Sequence, residues 1–422
     1  MNKIIIILVT VILLQYIQLR KQILARNKKI LLLLALISCY FIRKPPTISN
    51  LDRDHNWNKC MNEYSDREFY RTFRLTRQTF KQLCNDLYIP EKYNKNRIIF
   101  GNKPITKERM VAVFLYRLAH KCTLFQISKF FGVSESSVVR ITKTISDALF
   151  TQLGATEIYF PSKSTLIEQS EEWSRKTGFI HPVAAIDGSH IPIKRPQHNW
   201  ESFFSRKHEY GVQCQAVVDS EGLFIDFNVG YTAAAHDSRV FHNSSFAAKA
   251  PSLIPPGYYV LGDSAYPNKP WLLTTYKKYK HTPQTDPQKL YNLIHAKTRV
   301  VVEHAFGRLK QRWRLLKYMD ITDLKLVHKL IVAAAILHNY CERRNDCISN
   351  RELKKVQRRL DREILQRDLE QSEESEQVLD SHAGISSDQR QGTAIRQQVT
   401  EKIAQEYNPQ HHIHYYDRSN HE

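Results

Sequence analysis

The spacing of apolar residues changes character several times along the chain. Ile4–Leu14 and Ile30–Ile42 are nearly continuous apolar runs, separated by Arg20, Lys21, Arg26, Lys28 and Lys29. They hold 11 and 13 residues, short of the roughly 18–20 that a bilayer-spanning helix needs. Lys3 ahead of the first run suits the h-region of a signal peptide. Gln15, Tyr16 and Gln18 then stand where a small-x-small cleavage site would be required. Flanking polar residues could extend the runs into a marginal anchor. Membrane contact through residues 1–44 is therefore an open reading, beside buried N-terminal helices and an imperfectly defined start codon.

Pro45-Pro46 breaks the chain, and the period then becomes helical over residues 45–160. Phe69, Phe73, Phe80, Leu83 and Leu87 recur at helical spacing. Thr123 with Gln126 makes a capping box, opening a short helix with Ile127, Phe130 and Phe131 on one face. Gly132 ends it. Ser134 can cap a second helix that turns Val138, Ile141 and Ile145 inward and Ser136, Arg140 and Lys143 outward. The pattern predicts a helix-turn-helix within about 105–150, its outer face suited to a DNA groove. An ordinary αα-hairpin has the same spacing.

From about residue 180 the period shortens to two. Val183–Ile186 and Ile191–Ile193 flank Asp-Gly-Ser-His, and Val212–Val218 alternates up to the turn signal Asp219-Ser-Glu-Gly222. Leu223, Ile225, Phe227 and Val229 then alternate strictly with Phe224, Asp226 and Asn228. Three antiparallel strands are predicted, followed by a short strand at Tyr258–Leu261 and a long helix at Thr298–Leu316. Strands first and then a strand beside helices predict an α/β domain with a mixed sheet over 161–345. Residues 346–422 read as a charged, largely disordered tail. Arg351–Glu370 has only a thin apolar stripe, Ser372–Gln410 lacks the apolar content to fold alone, and His411, His412 and His414 read as solvated.

Composition narrows the class. With 422 residues, 42% hydrophobic and 25% charged, the chain is globular rather than disordered. Its seven cysteines include no CxxC pair, which argues against a disulfide scaffold or zinc finger and for a reducing compartment. The formal net charge is +20, and it is uneven. From residue 345 onward 11 lysines and arginines face 15 acids, leaving 51 against 27 ahead of that point. Such a field attracts polyanions, either nucleic acid or an anionic membrane.

Three acids stand where chemistry is usually placed. Asp187 follows the apolar segment VAAI, Asp263 follows YYVLG, and Glu303 lies inside the helical stretch RVVVEHAFGRLKQRW. A carboxylate at a strand end faces the ligand edge of an α/β sheet, and a glutamate on an apolar helix calls for a cation. An all-oxygen set suits Mg²⁺ or Mn²⁺ rather than zinc. Each also has a structural reading: Asp187 as a turn residue, Asp263 as a strand-end cap, Glu303 as the partner of Arg299 at i−4.

At these residues the chain resembles the PIF/Harbinger superfamily of DNA transposases and the host genes derived from them. The resemblance covers about residues 60 to 345. It rests on VAAIDGSHIPI, GYTAAAHDSRVF, YYVLGDSAYP, RVVVEHAFGRLKQRWRLL and AAAILHN, in that order. It implies an RNase H-like nuclease fold with flanking helices, and a catalytic, metal-holding triad of Asp187, Asp263 and Glu303. His190, His236, Asp237 and Arg239 would stand near that triad, Asp237 chiefly as the cap of a following helix. Lys194, Arg195, Arg308, Lys310, Arg312 and Arg314 are candidate phosphate contacts. The implied activity is divalent-metal-dependent DNA cleavage, with strand transfer as an extension. A transposase-derived DNA-binding or scaffold protein in which catalysis has lapsed is the alternative. The implied partners are DNA, a Myb/SANT-like DNA-binding protein and a second copy of the chain. The implied location is the nucleus, with the cytoplasm as a further site.

Overall fold

A computed structural model of the chain describes residues 2–42, 55–90, 105–205, 208–233, 237–277, 283–346 and 386–406. The chain divides into two units, Met1–His55 and Asn56–Glu422. In the first, helix α1 (Asn2–Ile42) runs unbroken through both apolar runs and the basic block between them. Val11–Leu14, Ile17, Leu19, Ile23, Leu24, Ile30, Leu32 and Leu33 are exposed on it. Among the residues whose side chains are described, no helix is long and apolar enough to cross a membrane. The side chains at both ends of α1, where the membrane reading rests most, lie outside that description.

The second unit begins with short helices whose ends are written in the sequence. They are α2 (His55–Asn62), α3 (Asp66–Phe73), α4 (Arg77–Asp86), α5 (Lys107–Ala119), α6 (Leu124–Phe131) and α7 (Glu135–Ala148). Phe69, Phe73 and Phe80 stack their rings 4.8–6.0 Å apart, which binds α3 to α4. Helix α5 is buried along Met110–Leu115 and forms the centre of the group. The capping box Thr123/Gln126 is present, and Ser134 caps α7 through the Ser137 amide. Gly132 sits at φ 60°, a left-handed cap at which a side chain would be strained. The predicted helix–glycine turn–helix is therefore formed. Beyond α7, Leu149–Leu153 widens into a π-helical turn before α8 (Gly154–Glu157) and α9 (Lys163–Thr177).

Five strands follow: β1 (Pro182–Pro192), β2 (Gly211–Val218), β3 (Phe224–Thr232), β4 (Tyr259–Gly262) and β5 (Leu272–Thr274). Helices α10 (Asp237–His242) and α11 (Ser245–Leu253) lie between β3 and β4 in the chain. The sheet order is β3-β2-β1-β4-β5. The β3-β2-β1 part is antiparallel, and β4 and β5 run parallel to β1. This is the RNase H-like mixed sheet that the resemblance implied.

Two differences from the sequence reading matter. The segments expected on either side of Asp-Gly-Ser-His are one strand, because β2 keeps pairing with β1 from Val218 to Gly211. Asp187 therefore lies within a strand opposite Ala216 rather than at its end. The long helix also begins earlier, as α12 (Asp286–Arg312). Thr285 and Gln288 form a capping box there, and Pro287 sits in the first turn.

The hairpin between β2 and β3 closes as its sequence indicates. Asp219 accepts hydrogen bonds from the Glu221 and Leu223 amides at 3.0 Å, and Gly222 takes φ +82°. Helix α13 (Leu324–Glu342) packs on β3, where Ala333–Ala335 permit close approach. One hydrophobic core joins the N-terminal helices to one sheet face, running from Phe69 and Phe114 through Ala185, Ala216 and Val302 to Ile336. The sequence boundary near residue 160 is a change of pattern inside one packed body. A second core, with Ile186, Val217, Ile225, Phe241 and Val260, fills the opposite face.

Within the expected tail, Ser387–Glu406 forms a helix, α14, which docks on α12 and β5. Val399 and Ile403 are buried there with Tyr291 and Leu273. This short apolar stripe is too thin to hold a lone helix and suffices once a partner surface is supplied. Helix α14 covers the β5 edge of the sheet as α13 flanks β3, the other edge.

Candidate active site

Strand β1 enters the core through Val183–Ile186 and then presents Asp187. Alternation places Asp187 on the same face as Ala185 and Ile191, which pack in the core shared with α12. The parallel register matches Ala185 with Leu261. Asp187 comes two residues beyond Ala185, and Asp263 two residues beyond Leu261. Asp263 comes just after β4 ends, half-buried, and one of its carboxylate oxygens accepts the Ala265 amide at 3.0 Å. The strand-end cap read from the sequence is present.

Helix α12 crosses this face with Val302, Ala305 and Leu309 buried against it. That rotation brings Glu303 to Asp187 through an intermediary. Arg299 meets Glu303 at 2.5 Å and Asp187 at 3.7 Å. The side chains of Arg299, Asp187 and Glu303 are only 15%, 17% and 8% exposed. The i−4 pairing expected for Glu303 therefore exists, and the same guanidinium also reaches the first aspartate. Among the described residues, no three His, Cys, Asp or Glu side chains stand close enough to share a metal ion. Asp187 and Glu303 are brought together through Arg299, and Asp263 follows the adjoining strand with its carboxylate engaged in its own turn. The donor chemistry, three carboxylates on adjoining elements, fits a hard divalent cation. The arrangement is that of an ion-pair network.

The remaining candidates fall into two groups. Lys310 donates to Ser189 Oγ at 2.8 Å and to the His190 carbonyl at 2.9 Å, tying α12 to β1. Arg308 donates to the Glu221 carbonyl and pairs with Glu342 at 3.6 Å. Arg312, 9% exposed, lies between Glu342 and Asp346. These three have partners inside the fold. By contrast, Lys194 and Arg195 lie exposed beyond β1, Lys194 paired with Asp320 at 2.9 Å and Arg195 stacked 4.2 Å over Trp200. Arg314 is exposed as well.

On the α6–α7 pair, Ser136 is exposed near the start of α7 and Arg140 donates to Ser137 at 3.3 Å. Lys143 pairs with Asp323 at 3.1 Å, so part of the outer face of α7 is tied to the start of α13. His190 falls on the opposite pleat from Asp187, its ring against Gly211, where even a Cβ would collide with it. Asp237 is the first residue of α10, and its side chain, on which the cap reading depends, lies outside the description. Arg239 is exposed on α10, and His236 lies outside the described residues.

Several residues that hold the site were not singled out in the sequence. Arg299 was seen only as a helix partner. Asn339, at the end of AAAILHN, accepts the Phe224 amide at 2.9 Å and donates to the Phe224 and Glu157 carbonyls at 2.8 and 2.7 Å. His338 beside it donates to the Gly222 carbonyl at 3.2 Å, and burial pushes its pKa down to about 4. His295, one turn before Arg299, donates to the Leu273 carbonyl, and burial pulls it down to about 3. Burial also pushes Asp219 up to about 6. Polar residues within otherwise apolar helix runs were the available signal for Asn339 and His338.

Residues 186–339 match the family described as DDE superfamily endonuclease, and residues 49–151 match a domain of unknown function. The ALP1-like protein of Arabidopsis thaliana is 26% identical over 294 residues, covering 64% of this chain and 70% of that protein. HARBI1 of Rattus norvegicus, provisionally named a nuclease, is 27% identical over 213 residues, covering 49% of this chain and 59% of its own length. A protein of Microchaete diplosiphon assigned as the transposase for insertion sequence element IS702 is 27% identical over 255 residues, covering 58% and 83%. The matched DDE region begins one residue before Asp187 and ends at Asn339, so it takes in all three acids and the clamp on the hairpin. Fold and comparisons agree: residues 186–339 carry a DDE superfamily endonuclease domain, and the relatives support a place in the harbinger transposase-derived family.

Proposed function

We propose that the protein cleaves DNA phosphodiester bonds with divalent metal bound by Asp187, Asp263 and Glu303. The observation supporting this reading is that Asp187 and Glu303 share one guanidinium while Asp263 follows the strand next to β1. Asp187 lies within β1, Asp263 comes just after the parallel neighbour β4, and Glu303 on the crossing helix is linked to Asp187. The chemistry a divalent pair supplies is a lowered pKa for the attacking water and neutralisation of the leaving 3′-oxygen. The chain's own part is to fix the carboxylates. Lys310 anchors α12 to the strand that carries Asp187, and the Ala265 amide orients Asp263. Lys194, Arg195 and Arg314 are exposed cations for the phosphate backbone. The outer face of the helix-turn-helix, with Ser136 and Arg140, is a further DNA contact in this reading.

Strand transfer, pairing with a Myb/SANT-like protein, self-association and a nuclear location extend the same proposal. Cell fractionation of the full chain checks the location. A lapsed nuclease that still binds DNA is the second reading, and the Arg299 ion pairs favour it, since they partly neutralise two of the acids.

The deciding experiment incubates the purified full chain with labelled DNA and Mg²⁺ or Mn²⁺. EDTA-sensitive cleavage that Asp263→Asn abolishes is the expected result. Equal cleavage by the variant removes Asp263 from the chemistry. DNA binding without cutting, retained when all three acids are replaced, establishes the second reading.

A further inference from the structure

We infer that Arg299 is an internal counter-ion for the acid site, one that a divalent cation must displace from Asp187 and Glu303 in order to bind. The inference rests on the reading that these acids hold metal. One guanidinium bridges two carboxylates here, and its single charge is half of what the pair it bridges carries. A divalent ion on the same oxygens neutralises both. Guanidinium and metal therefore compete for the same lone pairs, and they cannot both occupy Glu303 Oε1 at bonding distance.

The contacts indicate how exchange proceeds. Glu303 lies one turn from Arg299 on the same helix and holds it at 2.5 Å, whereas Asp187 on β1 is 3.7 Å away. The longer contact is the weaker and gives way first. Arg299 is 15% exposed, which leaves the flexible side chain a route toward solvent. Without the ion, the bridge steadies Asp187 and Glu303. With it, the same residue sets a threshold on metal concentration.

Mn²⁺ affinity and thermal stability are to be measured on the full chain after chelation, for the native protein and Arg299→Gln. The variant is expected to melt lower without metal. It should bind Mn²⁺ about tenfold tighter or more, the factor expected when one partly buried charge pair is removed. Its melting temperature should accordingly rise further on adding Mn²⁺ than that of the native chain. Arg299→Lys, which keeps the charge and loses the planar fork, is expected to fall between the two, and it decides the matter if Arg299→Gln does not fold. Arg67→Gln, which removes an exposed cation from α3, should leave Mn²⁺ affinity unchanged; an equal gain there would make the effect one of net charge and overturn displacement. Equal or weaker Mn²⁺ binding by the Arg299 variants overturns the inference alone. Mn²⁺ binding by none of the proteins overturns it together with the metal reading.

Discussion

Replacing Asn339 by leucine should destabilise the protein by about 3–5 kcal/mol, as expected when two or three buried polar groups each lose about 1–3 kcal/mol of hydrogen bonding. The side chain is fully buried and works as a double clamp between α13 and the start of β3. Its oxygen receives the Phe224 amide, and its nitrogen serves the Phe224 and Glu157 carbonyls. Leucine has a similar shape and no polar atom, so the Phe224 amide and carbonyl would both lose this partner. The Glu157 carbonyl would keep Arg343, which donates to it at 2.7 Å. That retained bond places the estimate below the three-group maximum. Apolar burial by leucine does not compensate, because the surrounding groups are backbone polar atoms. Urea unfolding followed by far-UV circular dichroism measures the effect as a lower midpoint with an unchanged slope. One transition is expected, since a single core runs from the N-terminal helices to α13. A loss below about 1 kcal/mol, the worth of one ordinary hydrogen bond, would refute the clamp and return Asn339 to an incidental polar residue.

Two further expectations concern acid stability and the C-terminal helix. His295 and His338 have folded pKa values near 3 and 4, below the usual 6.5, so the unfolded chain takes up their protons first on acidification. Their contribution is present above pH 6.5 and is lost as pH falls toward 4. Asp219, raised to about 6, acts oppositely between pH 6 and its usual 3.8. Of these three groups alone, two against one leave about one excess proton on the unfolded side near pH 5, a slope of about 1.4 kcal/mol per pH unit. Urea midpoints between pH 4.5 and 7.5 should fall with acidification, and a flat profile would contradict the burial of both histidines. Separately, Gly392→Leu should dislodge α14, because even a Cβ there would come within 2.6–2.8 Å of the Lys269 backbone. Faster hydrogen exchange over residues 263–274 is the readout, and unchanged exchange would show that α14 does not brace the segment after Asp263.

The features legible in the sequence are those fixed by local chemistry. Thr123, Gln126, Gly132 and Ser134 specify their helix ends whatever surrounds them, and Asp219 with Gly222 specifies a hairpin. The alternation of β3 and the apolar run of β4 depend on burial and were equally readable. What escaped depends on distant partners. Asp187-Gly-Ser-His190 resembles a turn and is held extended by eight residues of pairing with β2. Strand β5 has three residues and exists because β4 offers an edge. The first turns of α12 are polar apart from a stripe through Tyr291 and Ile294, whose packing partners include Val399 and Ile403, more than 100 residues further on. Arg299 belongs to the same class. Spacing gave its helical neighbour, but only the packing of α12 over β1 gives it Asp187.

That distinction bears on how the positive charge should be read. The stretch RVVVEHAFGRLKQR is rich in cations, and the net excess ahead of residue 345 invites reading them as a DNA surface. Arg299 faces two acids of the site, Arg308 and Arg312 face Glu342, and Lys310 holds a serine and a carbonyl of β1. Each of these charges already has a partner, and a phosphate would have to outcompete it. Net charge therefore overstates the interface. The cations available to a polyanion at low cost are those that keep solvent exposure, such as Lys194, Arg195 and Arg314. Among the described residues, Lys194 alone of these must release a carboxylate, and that pair is exposed and so weakly held. On the proposed reading a DNA path would run beside the connection that follows β1, while the cations of α12 hold partners inside the fold.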